Sequence, residues 1–179
     1  PTILSQIQDA SHADYFVNLR HKNAGASSFE VYTQGTNAAS GAARGDETVG
    51  YLVIESGTGS SGSGASKAFA AGITADTHTH DQRDISLGKN FGHANYAIFG
   101  NLHTSDGFDP VTLRYTTKSN DKTRVFLHED VCGDSEAEHT TERVAWFALE
   151  TGVLVYNAGR TTSGGKCSHT TCKMVDVDS

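Results

Sequence analysis

Glu142-Arg-Val-Ala-Trp-Phe-Ala-Leu-Glu150-Thr-Gly152 repeats, 95 residues later, the pattern of Glu47-Thr-Val-Gly-Tyr-Leu-Val-Ile-Glu55-Ser-Gly57. The two glutamates, one valine and the glycine coincide, and the aromatic Tyr51 meets Trp146. Upstream, Val17-Asn-Leu19-Arg20 faces Val111-Thr-Leu113-Arg114 with a displacement of 94, so one residue of slippage in a turn separates the two matches. Further back, Ile3-Leu4 and Ile7 face Ile98-Phe99 and Leu102. Matches in the same order with a single gap mark an internal duplication.

The local pattern within each copy has a period of two. Val17, Leu19 and His21 alternate with Asn18 and Arg20; Val111, Leu113 and Tyr115 alternate with Thr112 and Arg114. Alternation of this kind builds strands with one face inward, whereas Val144 to Glu150 is apolar on both faces and predicts a strand inside a sandwich. Turn signals separate the strands at Gly25, Asp106-Gly107 and Ser119-Asn120-Asp121. The expectation is an all-β chain of antiparallel sandwich units in tandem. Residues 1–57 would form a partial repeat, 58–65 a Gly/Ser linker, 66–156 a complete repeat and 157–179 a cysteine-containing tail. The second copy has a leader, roughly Phe69 to Tyr96, that the first does not show. The first unit is therefore expected to be completed by strands from elsewhere, either the tail or a neighbouring molecule.

Composition limits the functional classes. Apolar residues make up 36% and charged residues 20% of the 179, a globular balance. A net charge of -7 with no Lys/Arg cluster argues against nucleic acid. No apolar run is long enough for a membrane-spanning helix, so no membrane insertion is expected. The chain opens at Pro1 without a signal-like stretch, which reads as a processed or excised piece. Cys167 and Cys172 bracket a short polar segment and suit a disulfide outside the cell; with Cys132 they could equally be three reduced thiols.

Each unit runs from an Arg-bearing strand through a strand such as Phe29-Glu-Val-Tyr32 and closes on Glu-x-Val-x-aromatic-hydrophobic-x-hydrophobic-Glu-x-Gly. This resembles the H-type lectin domain and the H-type-lectin-like repeats of secreted surface proteins. The resemblance covers residues 66–156 once and 3–57 in part. It implies a small antiparallel β-sandwich, frequent oligomers, and binding of N-acetylgalactosamine-type sugars at subunit edges.

Few residues suggest site chemistry. Tyr51 and Trp146 could stack on the apolar face of a sugar, or simply pack. The segment Glu129 to His139 carries Asp130, Asp134, Glu136 and Glu138, which fits calcium's need for many oxygens as well as it fits a solvated acidic loop. His78-Thr-His80 would project both imidazoles from one face of a strand, as a metal site requires, or be two surface histidines. The duplicated pairs Arg20 with Glu55 and Arg114 with Glu150 suggest a structural salt bridge within each unit. No nucleophile motif or phosphate-cradling loop is present, so an enzyme is not expected. The sequence points to an extracellular carbohydrate-binding or adhesive module of a larger surface protein, or to a structural subunit of a fibre or surface layer assembled by strand exchange. Its partners would be glycans or copies of itself, in an oligomer or polymer.

Overall fold

The computed structural model describes residues 1–8, 17–35, 47–61, 67–107, 109–129, 131 and 136–151. These form eleven strands: β1 (Thr2–Ile7), β2 (Val17–Lys22), β3 (Glu30–Gly35), β4 (Val49–Ile54), β5 (Gly57–Ser61), β6 (Lys67–Ile73), β7 (Arg83–Ser86), β8 (Tyr96–Leu102), β9 (Val111–Lys118), β10 (Lys122–Glu129) and β11 (Val144–Glu150). All the pairings are antiparallel, and no helix among the described residues is long and apolar enough to cross a membrane.

The larger part is a sandwich of a four-stranded sheet, in the order β5-β6-β11-β8, and a three-stranded sheet, β7-β10-β9. Strict alternation explains the facing. On β10 the buried residues are Thr123, Val125, Leu127 and Glu129, with the intervening side chains turned outward or half-buried. Val125 and Leu127 meet Ile85 and Val111 from their own sheet and Ala70, Tyr96, Leu102, Val144, Trp146 and Ala148 from the other. Tyr96 stacks on Phe91, and its hydroxyl donates to the Lys122 carbonyl at 2.8 Å, which satisfies the one polar atom of a ring buried in the core.

The remaining strands form two ribbons, β1-β4 and β2-β3. Their registers reproduce those of the larger part. Thr2 pairs with Ile54 and Ile7 with Val49; 95 residues on, Ala97 pairs with Leu149 and Leu102 with Val144. Val17 pairs with Gly35 and His21 with Val31; 94 residues on, Val111 pairs with Glu129 and Tyr115 with Val125. The correspondence ends at a bulge between Arg124 and Val125. The ribbons are not a separate body. β1 packs against β11 and β8, and the Asn101 side chain both accepts from the Ser5 amide, at 3.0 Å, and donates to the Ser5 carbonyl. This cover over β11 accounts for a strand that is apolar on both faces.

One boundary differs from the sequence expectation. The stretch 58–65 was expected as a linker, but residues 57–61 are strand β5, paired with β6 from Gly57↔Ala71 to Ser61↔Lys67. Small residues do not prevent a ladder, because the backbone supplies its hydrogen bonds, and here they admit the Phe69 ring against Gly59.

Candidate functional site

The inward phase of two strands ends in charge. Glu129 follows Leu127 on the core-facing side of β10, and Glu142 lies two residues before Val144, in phase with Trp146. His139 joins them: its Nδ1 lies 2.8 Å from Glu129 Oε1 and its Nε2 lies 3.2 Å from Glu142 Oε1. The Arg20 guanidinium, from β2, donates to Glu142 Oε1, and its other nitrogens reach the Thr104 carbonyl and the Gln34 side chain. Thr104 Oγ1 donates to Glu142 Oε2, and the backbone amides of Asp106 and Gly107 donate to Oε1 at 3.1 and 3.0 Å. Gly107 packs directly on the His139 ring, where a Cβ has no room.

Electrostatics follows from these partners. Burial alone would raise the Glu142 pKa, but His139, Thr104, the Gly107 amide and Arg20 outweigh it and hold the carboxyl at about 2. Burial opposes charge on His139 too, yet the two flanking glutamates raise its pKa above the ordinary value. The cluster is thus a buried, charged, hydrogen-bonded group that ties β2 of the first unit to the end of the second unit's core.

Outside the cluster lies an open cleft of about 410 Å³ lined by His80, Asp106, Gly107, Asp109, Glu129, Glu136, Glu138, His139 and Thr140. Five of these are carboxylates, and the His80 Nδ1 accepts from the His139 amide at 3.1 Å. Of the residues expected to ligate calcium, Glu136 and Glu138 line this cleft, while Asp130 and Asp134 lie outside the described residues. Among the described residues no three His, Cys, Asp or Glu side chains are grouped as a metal site requires.

The His-x-His pair does not lie on a strand. His78 makes a single β-bridge with Glu142 and is buried, with no hydrogen-bond partner for either ring nitrogen, whereas His80 sits in a bend at the cleft. The regular alternation that would aim both imidazoles one way is absent. His78, His103 and His21 are all buried and pushed toward the neutral form. Burial is the main cause in each case, aided by Arg83 for His78, by Arg143 and the N-terminus for His103, and by His103 for His21, which is lowered to about 4.

The aromatic pair divides. Trp146 is 6% exposed and lies against Gly72, where a Cβ would stand 2.8 Å from its ring, so it is a core residue and presents no face to a sugar. Tyr51 is 53% exposed and meets Phe29 edge-on, with ring centroids 5.3 Å apart. The expected salt bridges within units are replaced. Arg20 pairs with Glu142 while Glu55 stands exposed. Arg114 faces away from the core beside His128, so it cannot meet Glu150, which Lys67 and the Ala68 amide hold instead. Cys132, Cys167 and Cys172 lie outside the described residues.

Comparison with known proteins gives one relative to report. The chain is 29% identical over 159 residues to halomucin of Haloquadratum walsbyi, a match that covers 87% of this chain and 2% of that protein. The chain therefore spans a small fraction of its relative's length. No family model and no solved structure matches it.

Proposed function

We propose that this chain is a structural module of a larger extracellular surface protein, a non-enzymatic β unit that builds an assembly by strand pairing between repeats. The observation that carries this reading is a difference between equivalent strands. β11 is paired on both edges, with β8 and β6, whereas its counterpart β4 is paired on one, with β1, among the described residues. The similarity to halomucin supports a place at or outside the cell surface. The H-type-lectin-like resemblance supports the same sandwich unit, and the Cys167–Cys172 disulfide belongs to this reading. Mass spectrometry of unreduced peptides tests that bond, and two free thiols would count against the extracellular placement.

A second reading rests on Tyr51. Its exposed ring beside Phe29 offers an apolar platform of the kind a pyranose stacks on, which would make the module carbohydrate-binding or adhesive. A glycan array separates the two. A blank array is expected for the structural module. Specific, saturable binding that Tyr51→Ala abolishes would replace it with the sugar-binding one.

A further inference from the structure

We propose that the outer edge of β4 is an acceptor site for one added antiparallel strand, a strand of the β6 type from a further repeat of this kind. This deepens the structural reading above and rests on it.

The argument begins from registers that repeat. β1 pairs with β4 as β8 pairs with β11, residue for residue at a displacement of 95. The other edge of β11 carries β6, with Ile73, Gly72, Ala71, Ala70 and Phe69 opposite Ala145, Trp146, Phe147, Ala148 and Leu149. Moved by the same 95 residues, that strand falls on Gly50, Tyr51, Leu52, Val53 and Ile54. Exposure differs between the equivalent residues, and no strand among the described residues lies on this edge: Trp146 is 6% and Ala148 0% exposed, while Tyr51 is 53% and Val53 48%. Three consecutive apolar side chains, Tyr51, Leu52 and Val53, are exposed on this edge. An apolar edge of this kind templates another strand.

The β6 pattern also specifies the occupant. Small residues, Ala68, Ala70 and Gly72, lie on the side that packs into the core, and Gly72 is required because Trp146 occupies the space of its missing side chain. By the repeat Tyr51 stands where Trp146 does, so the incoming strand is expected to carry glycine opposite it. Among the described residues there are two closing strands, β4 and β11, and one strand of the β6 type, which β11 already holds. A further repeat of this kind supplies a second such strand, and that is the occupant proposed for β4.

The test titrates the full chain with a synthetic peptide of residues 57–74, which spans β5 and β6. Saturable one-to-one binding is expected, with slowed hydrogen exchange at the Val49, Tyr51 and Val53 amides, which face the outer edge and alternate with those bonded to β1. Gly72→Val in the peptide, and separately Val53→Lys in the protein, should each weaken binding by about tenfold or more. Val53 is half-exposed, so that variant should keep the wild-type melting temperature, which is measured alongside. Absence of binding, with the Val49, Tyr51 and Val53 amides exchanging freely, overturns the proposal. So does protection of those amides before any peptide is added, which would put residues 152–179 there if the chain is monomeric, or a second copy if it is dimeric. A failed titration leaves the extracellular placement standing, and free thiols or a glycan-binding result leave the titration standing.

Discussion

Arg20 and Glu142 stand 122 residues apart in sequence and bind each other where neither side chain reaches solvent. Each comes from a different copy of the repeat, so the ion pair is a tie between units. Removing one partner leaves the other charge buried and unpaired, which costs about 3–5 kcal/mol. Arg20→Met should cost that much in denaturant unfolding, and the double variant Arg20→Met with Glu142→Leu less than the sum of the two single changes. Additive losses would show that the two groups do not interact.

Acid should destabilise the fold well above the carboxylate range. His21, His78 and His103 have folded pKa values below 6.5, so the unfolded chain binds protons that the folded chain refuses. Stability is then full above pH 6.5 and falls as the pH drops toward 4, the folded value of His21. His139 acts in the opposite sense: its raised pKa adds stability below 6.5 that is lost as the pH rises through the folded value. Three against one gives a net decline, measurable as a falling melting temperature between pH 7 and 4.5. His21→Phe should flatten that slope; an unchanged slope would remove His21 from the account. Glu142 contributes a further loss below the ordinary carboxylate pKa, as the pH falls toward about 2.

The single tryptophan reports on the core. Trp146 emission should be blue-shifted and resist quenching by iodide, and saccharides should not alter it. Gly72→Val forces a branched side chain into the ring's space and should cost about 1–3 kcal/mol while shifting the emission. A quenchable wild-type spectrum would contradict the burial.

The acidic cleft makes stability depend on ions. Asp106, Asp109, Glu129, Glu136 and Glu138 repel one another, and at an ionic strength of 1 M the screening length falls to about 3 Å. Raising sodium chloride from low salt to 1 M should raise the melting temperature. If the cleft holds calcium, millimolar calcium should do the same at constant ionic strength, and the pair Glu136→Gln with Glu138→Gln should cancel that increment. Equal melting temperatures in calcium and chelator would assign the whole effect to screening.

The strands β9 and β11, and the repeat that relates residues 98–102, 111–114 and 142–152 to residues 3–7, 17–20 and 47–57, were legible because alternation and duplication are written in residue types. β5 was not. Its Gly-Thr-Gly-Ser-Ser composition signals a flexible chain, and only the presence of β6 beside it turns that backbone into a ladder. The partner of Arg20 was illegible for a related reason. A repeated Arg and a repeated Glu suggest a pair within each copy, and nothing in the repeat distinguishes that from a bond between copies. Trp146 shows the limit for aromatics, since a ring on a strand reads alike whether it faces sugar or core. The buried cluster did leave a trace: Glu129 is in phase with Val125 and Leu127, and Glu142 with Val144 and Trp146, so two acids at inward positions marked where the core ends in charge.

The matching registers have a consequence for how the chain folds. Because β1 against β4 and β8 against β11 use one pairing code, β1 can find β11, and β8 can find β4, with every residue aligned. Sequence separation opposes only one crossed pair: β1–β11 must span nearly the whole described chain and pays the larger closure entropy, whereas β4 and β8 lie as close in sequence as β1 and β4 or β8 and β11. Order of synthesis adds to this, since β1 and β4 emerge together before β11 exists. Correct assembly is thus a matter of timing and proximity, and refolding from denaturant, which removes the timing, exposes the chain to strand mispairing that its own duplication created.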